Sequence, residues 1–500
     1  MAARAAGQKT SSRGTDRAAG KQSSASARRG GKAAGAGLKV RMYRVGFGDF
    51  FLLTVPTPAG NRFVVIDCGV FKGKTGKGDI GSIEDAVEDL YKTTGGDLAL
   101  VIMTHRHADH IAGFSRVAKF REFTVGMVWM PYWEQFNDAT AADASGLQAD
   151  ISELAMRLGM QFGGRTDPAA QLALDQLWNA TGIDFSAAAK GDRRKGGNAV
   201  ALDLLKTQFG NNGKNVRYYA AGDEAELPAQ LKGSLQAQIL GPPPKEAQVF
   251  LELTDLKKGV GQYLDAVAGA DAENQSIRPF RSEWSAGARE AYPATDPGNF
   301  PVDYDKITGM VDSAQPDLLA AAAAKIDTFL NNQSLVVLFT VGAKKLLFVG
   351  DAQAGNWEYW LYKLNAPVKD PTKAGDLAEE SRKLLQAVDF YKVGHHGSTN
   401  ATPISVVEAL GDHHAAPGFV AMCSTESGTY GNVAKGTEVP RDPLLKALGD
   451  ECALVRSDQF PITTSSGIVP PAEDAKADLP IPKTGKLVKG NLYVEYSFDD

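Results

Sequence analysis

One short stretch constrains this chain more than any other. Three of its seven histidines and an aspartate lie within six residues, directly after an apolar run. The run, residues 98–103, is typical of a buried strand. His105 and His107 follow it and alternate, so in an extended segment both point to the same side. Asp109 and His110 come where the chain is predicted to turn into a helix. This pattern can present four ligands to two adjacent metal ions, and imidazole and carboxylate suit Zn²⁺, with Mn²⁺ or iron as alternatives.

Two further predicted strand ends carry the same residue types. Apolar residues 346–349 lead into a Gly-Asp-Ala sequence at Asp351, where a carboxylate can bridge two metals. Residues 389–393 are predicted to form a strand that delivers His395 and His396, flanked by glycines that let the backbone approach metals or substrate. Adjacent side chains on an extended segment point apart. One histidine is therefore expected to bind metal and the other to face the substrate, and the sequence does not distinguish them.

These motifs together resemble a known family. The pattern His-x-His-x-Asp-His resembles the signature of the metallo-β-lactamase superfamily. The strand–hairpin–strand run before Asp351 and the Lys-Val-Gly-His-His-Gly-Ser sequence at 392–398 are similar to the hydrolase domain of ComEC-type DNA-uptake competence proteins. A Gly-Phe-Gly-Asp turn at 46–49 is similar too, although Phe47 stands where that family has glutamine. The resemblance covers the chain outside its first residues and two internal segments.

The resemblance implies two divalent metal ions, Zn²⁺ or Mn²⁺, and a set of site residues. Many enzymes of the metallo-β-lactamase superfamily carry a further histidine ligand between the first motif and the bridging aspartate. No histidine lies between His110 and His395 in this chain, and ComEC-type domains lack that histidine as well. One half-site is then expected to contain His105, His107 and Asp351, completed by water or a neighbour such as Asn332. The implied metal ligands are His105, His107, Asp109, His110, Asp351, His395 and His396, and the implied catalytic residues are Asp109, His395 and His396.

The same resemblance predicts the fold and the domain organisation. The expected fold is α/β, a four-layer αβ/βα metallo-β-lactamase sandwich with two mixed sheets face to face and helices outside. Residues 38–500 are expected to form this hydrolase domain. Helical periodicity and Pro/Gly breaks predict two helical or irregular insertions near the site, at about 133–215 and 244–330. Residues 1–37 contain no large apolar residue after Met1, which predicts a disordered basic tail.

Charge and cysteine usage narrow the possible partners and location. Residues 1–40 carry nine Lys or Arg against one acid, whereas the whole chain has a net charge of −5. The body is therefore not a generally basic nucleic-acid binder, and the tail is the candidate contact with nucleic acid. Three scattered cysteines imply no disulfide framework. No apolar run approaches the roughly 20 residues of a membrane span, and no secretory signal is recognisable, so a cytoplasmic location is expected.

Several other side chains allow two interpretations. Asp67, at a predicted strand end, is interpreted as a supporting carboxylate rather than a ligand. Lys392 and Ser398 are candidates for phosphate binding, although Lys392 can equally point to solvent. Gly222-Asp223 is assigned to a turn, and the pair at 413–414 to a surface loop. Three aromatic residues after a strand end are assigned to core packing in preference to the wall of a cleft. They are Tyr132, Trp133 and Phe136.

The chemistry expected from these features is hydrolysis. Two adjacent cations can hold a bridging hydroxide, lower its pKa and clamp both oxygens of an in-line displacement, which suits a phosphodiester. The histidine of the 395–396 pair that does not bind metal is expected to donate a proton to the leaving oxygen. The first hypothesis is a phosphodiesterase or nuclease with DNA as a possible partner. The alternatives are a hydrolase of a small phosphoester, lipid head group or lactone, and a non-catalytic metal-stabilised binding module. The oligomeric state stays open.

Overall fold

The computed structural model describes residues 37–72, 77–135, 153–162, 165–185, 196–252, 316–362, 374–412, 419–431, 438–472 and 478–499. The predicted tail at 1–37 lies almost wholly outside these ranges, as do Phe136, His413 and His414. The described residues form a mixed α/β structure, which confirms the predicted class. None of their helices has the length and apolar character needed to cross a lipid bilayer.

The first sheet contains eight strands and carries the first metal motif. Its strands are β1 (Lys39–Tyr43), β2 (Phe50–Thr57), β3 (Gly60–Cys68), β4 (Asp97–Ile102), β5 (Thr124–Pro131), β6 (Val216–Tyr219), β15 (Lys486–Lys489) and β16 (Tyr493–Ser497). Their order is β15-β16-β1-β2-β3-β4-β5-β6. β1, β2 and β3 pair antiparallel, whereas β3 to β6 run parallel. The sheet is therefore mixed.

The second sheet contains six strands and is also mixed. Its strands are β7 (Gln236–Gly241), β8 (Val336–Val341), β9 (Lys344–Phe348), β10 (Phe390–Lys392), β11 (Val420–Cys423) and β12 (Ala453–Arg456). Their order is β12-β11-β10-β9-β8-β7, with β7, β8 and β9 antiparallel and β9 to β12 parallel. A separate hairpin contains β13 (Ile462–Thr464) and β14 (Gly467–Val469). The predicted hairpin at residues 342–345 is confirmed.

The alternation of side chains along β8 and β9 shows how the core is built. Successive strand residues face opposite sides of a sheet. The Phe339 ring lies 6.4 Å from the ring of Trp129, and the Phe348 ring lies 5.9 Å from the ring of Phe51. Both contacts join the second sheet to the first. Leu338 faces the other way, into a second apolar cluster shared with helices. The two sheets therefore share one apolar core.

Ten helices are described. They are α1 (Ile83–Thr94), α2 (Ala108–Arg116), α3 (153–162), α4 (Pro168–Thr181), α5 (Gly197–Leu204), α6 (Pro316–Asn332), α7 (Ala354–Leu361), α8 (Glu379–Gln386), α9 (Ile404–Gly411) and α10 (Asp442–Glu451). Ser82 directly precedes α1, but its hydroxyl does not cap the helix. It donates instead to the carbonyl of Arg44, at 2.7 Å. Tertiary contact therefore outcompetes the local cap.

The described parts of the two predicted insertions pack against each other. α3 and α4 belong to the first and α6 to the second, and they share an apolar cluster that includes Leu177, Phe329 and Trp133. Trp133 is fully buried there, so its assignment to core packing is correct. α4 and α6 form one side of a cavity, and that cavity contains the candidate site. The assignment of residues 38–500 to one hydrolase domain stays a prediction.

Candidate metal centre

The ends of β4, β9 and β10 bring the predicted site residues together. His105 and His107 lie in the loop after β4. Asp109 lies with His110 in the first turn of α2, where a carboxylate is stabilised by the helix dipole. Asp351 follows β9. All five are almost wholly buried, so the surrounding core holds them in place.

Three of these side chains form one ligand group with His396, which follows β10: Asp109, His110, Asp351 and His396 each offer an atom within 4.8 Å of the others. Nε2 of His110 lies 3.1 Å from Oδ2 of Asp351. Nε2 of His396 lies 3.3 Å from Oδ2 of Asp109 and 3.4 Å from Oδ2 of Asp351. Two imidazoles and two carboxylates thus converge on one point, a donor set that suits Zn²⁺ or Mn²⁺.

A second ligand group contains His105, His107 and Asp109. Nε2 of His105 lies 3.1 Å from Nδ1 of His107. Asp109 belongs to both groups, whereas Asp351 belongs only to the first. The bridging role assigned to Asp351 from sequence stays a prediction, and the structure adds Asp109 as a residue common to both groups.

Asn332 does not complete the second group, which corrects the expectation from sequence. Its Nδ2 donates to the carbonyl of Leu251 at 3.0 Å, and its Oδ1 accepts from the amide of Asn356 at 3.1 Å. The first bond fastens the end of α6 to the segment at 245–252, and the second fastens it to the first turn of α7. The amide side chain therefore has a structural role.

Orphaned polar atoms test whether the site fits a cation. Oδ1 of Asp109 and Nε2 of both His107 and His110 are buried without a hydrogen-bond partner among the described residues. Nε2 of His110 is close to Asp351 but lacks the alignment of a hydrogen bond. A buried polar atom without a partner costs about 1–3 kcal/mol. A divalent cation at Oδ1 of Asp109 and Nε2 of His110 offsets that cost, so these residues fit a metal centre.

Outer hydrogen bonds orient the imidazoles of the first group. Nδ1 of His110 donates to Oδ2 of Asp67 at 2.7 Å, and Nδ1 of His396 donates to the carbonyl of Ser424 at 2.9 Å. Each bond places the proton on Nδ1 and leaves the lone pair of Nε2 for a metal. Asp67 also accepts from the amide of Thr104 at 2.7 Å. Asp67 thus supports the ring of His110, but it also lies close enough to Asp49 and His110 to share a cation with them, so its interpretation as a supporting carboxylate rather than a ligand stays a prediction.

The structure distinguishes His395 from His396. Both have positive φ, 44° and 52°, in a tight turn, so the extended segment assumed from sequence is wrong. His396 points into the first ligand group. His395 belongs to no ligand group among the described residues and lines the cavity. Its Nδ1 contacts Oγ of Ser398 at 2.7 Å and Oδ1 of Asn400 at 2.9 Å. One histidine of this pair is expected from the sequence to bind metal, and the geometry favours His396 for that role.

Lys392 has neither of the roles considered from sequence. It is buried, and its Nζ contacts Asp49, donates to the carbonyl of Gly350 at 2.7 Å and lies 3.4 Å from Oδ1 of Asp351. It therefore reaches neither solvent nor a phosphate in the cavity. Asp49 was missed as a site residue. The signal was present, because Asp49 ends the Gly-Phe-Gly-Asp turn, and the ring of Phe47 in that turn lies 4.3 Å from the ring of His396.

Burial and charge set the protonation of the second group. Burial, together with His110 and His107, holds the pKa of His105 well below its usual range. Burial lowers the pKa of His107 to about 4. Both imidazoles are therefore neutral at neutral pH, with lone pairs available for a metal.

In the first ligand group, the charges of neighbouring side chains outweigh the effect of burial on the pKa values. Burial opposes ionisation of Asp351, but His110, His396 and Lys392 outweigh it and hold the pKa of Asp351 well below its usual range. Burial also opposes protonation of His110, yet Asp351, Asp67 and Asp49 raise the pKa of His110 well above its usual range. A cation has to displace that proton, so binding at this group releases a proton.

The cavity beside the ligand groups has a volume of about 360 Å³. His107, Asp109, Asp351 and His396 line its floor, and α4 and α6 contribute several side chains to its walls. One of these is Asp327, on α6. Burial and the nearby Asp109 and Asp351 raise the pKa of Asp327 to about 8 in the metal-free chain. Cations bound at those two carboxylates would oppose this shift and favour the ionised form of Asp327. No sequence signal marked Asp327, because it lies in a segment outside the resemblance. The discounted Gly222-Asp223 is exposed and does not line this cavity.

A buried ion pair supports the first metal motif. Arg106, between the two histidines, donates to Glu134 through Nε at 2.7 Å and through Nη2 at 2.8 Å. Burial opposes ionisation of Glu134, but Arg106 outweighs it and lowers the pKa of Glu134. The contribution of the pair to stability is therefore complete at neutral pH and is lost as the pH falls through the pKa of Glu134 in the folded chain.

We expect Glu134→Gln to lower the free energy of unfolding by about 3–5 kcal/mol, because it leaves the Arg106 charge buried without its counter-charge. Urea unfolding at neutral pH measures the loss. The matched control is Glu226→Gln, which breaks the exposed pair of Glu226 with Arg217 and should change stability by about 1 kcal/mol or less. Equal small losses in both variants would contradict the structural role of the buried pair.

Comparison with known proteins does not place this chain in a family. No protein-family model matches it, and no curated protein matches it. The resemblance to the metallo-β-lactamase superfamily and to ComEC-type domains therefore stays a prediction. The geometry of the buried histidine and aspartate cluster is the observation on which a functional proposal depends.

Proposed function

We propose that this chain is a metal-dependent hydrolase that acts on phosphodiester bonds. The observation that carries the proposal is the pair of ligand groups, His105–His107–Asp109 and Asp109–His110–Asp351–His396, whose members His107, Asp109, Asp351 and His396 line one cavity. The second group offers neutral imidazoles, and a cation that displaces the proton of His110 leaves imidazole and ionised carboxylate ligands in the first group, so the set suits two divalent ions, Zn²⁺ or Mn²⁺. Two mixed sheets that share a core, with helices packed on the second sheet, support a four-layer sandwich of metallo-β-lactamase type.

The residues of the chain have separable roles in this proposal. Two adjacent divalent ions supply an activated water and neutralise charge on a phosphoryl group. The two ligand groups hold these ions, while Asp67 and the Ser424 carbonyl fix the imidazole tautomers of the first group. His395 borders the cavity without belonging to a ligand group, and contacts with Ser398 and Asn400 orient its ring. We assign His395 to proton donation at the leaving oxygen.

The size of the cavity favours a small phosphodiester as a second candidate substrate beside DNA. A volume of about 360 Å³ accommodates a ligand of roughly the size of a drug molecule. α4 and α6 flank the described cavity, and duplex DNA is wider than such a space. The acidic net charge of the chain, −5, also disfavours a polyanion. Nuclease activity and a tail contact with nucleic acid rest on the resemblance and on the basic composition of the first residues.

Hydrolysis by the metal-stripped protein, restored with Mn²⁺ or Zn²⁺, tests the proposal. Single-stranded DNA, double-stranded DNA and bis-p-nitrophenyl phosphate are offered in parallel, with chelator as the control. We expect metal-dependent release of nitrophenol. Cleavage of DNA as well would support a nuclease, whereas cleavage of the small diester alone would support the second candidate. Bound metal without hydrolysis of any ester would contradict the proposal and favour a metal-stabilised binding module.

The two adjacent histidines should respond differently to substitution. We expect His395→Ala to keep two bound ions and to lose about a hundredfold or more in the rate of diester hydrolysis, because it removes only the proton donor. His396→Ala should lose an ion, because it removes a member of the first ligand group. Elemental analysis after dialysis and steady-state kinetics measure the two effects, and each variant is the control for the other. The reverse pattern would contradict the assignment of roles.

A further inference from the structure

Asp327 is the carboxylate that faces Nε2 of His107, a buried atom of the metal centre that has no hydrogen-bond partner among the described residues. It lies on α6, in the second predicted insertion, and lines the same cavity as Asp109 and Asp351. Its Oδ1 lies 3.7 Å from Nε2 of His107. Its Oδ2 accepts from Nδ2 of Asn331 at 3.4 Å. One oxygen is thus held by the helix itself, and the other faces a histidine of the second ligand group.

The other imidazoles of the centre show what His107 lacks. In each of them, the ring nitrogen that faces away from the ligand group has a polar partner. These partners are Oγ1 of Thr104 for His105 at 3.3 Å, Oδ2 of Asp67 for His110 at 2.7 Å, and the carbonyl of Ser424 for His396 at 2.9 Å. Nε2 of His107 is buried and has no hydrogen-bond partner among the described residues. Among the ion pairs of the described residues, the carboxylate that faces this nitrogen is Asp327.

The tautomer of His107 explains why a carboxylate is needed there. Nδ1 of His107 lies 3.1 Å from Nε2 of His105, so Nδ1 is the atom that faces the second ligand group. An imidazole that binds a metal through Nδ1 carries its proton on Nε2. That N–H then requires an acceptor in a buried site. A carboxylate in this position fixes the ring and makes the ligating nitrogen more basic.

We infer that Asp327 is a positioning residue for His107, accepting its Nε2–H and holding Nδ1 toward the second metal site. This inference rests on the proposed metal centre. It gives the second insertion a role in the chemistry, because α6 supplies a carboxylate to a half-site that has only His105, His107 and the shared Asp109. Asp327 therefore lies outside the ligand set and acts through the imidazole.

Metal binding by three purified variants tests the inference without depending on activity. They are Asp327→Ala, Asp327→Asn and, as a matched control, Thr328→Val, which changes the neighbouring cavity residue on the same helix. Zn²⁺ alone is titrated in competition with a chelator. We expect two ions per wild-type chain, with one site weakened about 10- to 100-fold in Asp327→Ala. The Asn variant should weaken it less, because an amide oxygen still accepts a hydrogen bond, and Thr328→Val should match the wild type.

Cobalt absorption separates positioning from direct ligation. At saturating Co²⁺, the visible spectrum of Asp327→Asn should match that of the wild type if Asp327 lies outside the ligand set. A shifted spectrum would make Asp327 a ligand and overturn the inference. Wild-type affinity for both ions in Asp327→Ala would overturn it too, while leaving the proposed function intact. Failure of the wild-type chain to bind any ion would overturn the metal centre itself.

Thermal melting of the metal-free variants checks their folding, and the Asn variant carries the test if the Ala variant does not fold.

Discussion

Asp109→Asn is expected to abolish hydrolysis, with a fall in kcat/KM of about 10⁴ or more. Asp109 is the residue common to both ligand groups, and its Oδ2 lies 3.3 Å from Nε2 of His396. The amide keeps the shape of the side chain but removes the negative charge and weakens the ligand. Both ions should therefore be lost or held weakly. Hydrolysis of bis-p-nitrophenyl phosphate and metal content by elemental analysis measure the two losses.

The fold should survive this substitution, because the structural bonds of Asp109 involve its backbone. Its amide donates to Oδ1 of Asn179 at 3.1 Å, and its carbonyl accepts from the amide of Asp49 at 2.8 Å. The matched control is Asp223→Asn, an exposed Gly-Asp near a strand end whose carboxylate accepts from the amide of Ala220. That variant should retain both ions and full activity. Two tightly bound ions and more than about a tenth of the activity in Asp109→Asn would contradict the shared-ligand assignment.

Gly69→Ala is expected to have a large effect on both folding and metal binding. Gly69 follows β3 and lies against the first turn of α2. A Cβ at this position would lie 2.2 Å from both the carbonyl carbon of Asp109 and the amide nitrogen of His110. Both are backbone atoms and cannot move aside as a flexible side chain does. We expect a loss of about 3 kcal/mol or more in the free energy of unfolding, since overpacking of a rigid site displaces backbone.

The displaced backbone belongs to two ligands, so metal binding should weaken together with stability. Urea unfolding and metal titration of the same variant measure both effects. Gly449→Ala is the matched control, because a Cβ there meets no heavy atom within 4 Å and the residue lies within α10. Alanine at that position should stabilise the chain by up to about 1 kcal/mol. Wild-type stability of Gly69→Ala with two bound ions would contradict the close packing of α2 on Gly69.

Local patterns were enough to predict most of the elements that carry the site. The apolar run at 98–103 supplies most of β4. The hairpin between β8 and β9 and the strand before His395 also appear where the residues indicate. These predictions succeed because strands and hairpins are indicated by the pattern of residues that are neighbours in the sequence. The four-layer arrangement and the family resemblance stay predictions.

Roles within the site depended on contacts that no local pattern contains. Nε2 of His396 meets Asp109 across 287 positions of the chain, and a positive-φ turn, rather than an extended strand, separates it from His395. Lys392 was expected at a phosphate or in solvent, yet its charge is buried against Asp49 and Asp351.

The sequence by itself determined which residue types could bind metal and that they follow strand ends, because ligand chemistry and strand periodicity are properties of short segments. The tertiary structure decided which of them converge, that Asp109 belongs to both ligand groups, and that Asp327 of the second insertion faces His107. The physical reason is that ligation and buried hydrogen bonding depend on distances of a few ångströms between atoms. Those distances are set only when the two sheets and the helices of the insertions pack together.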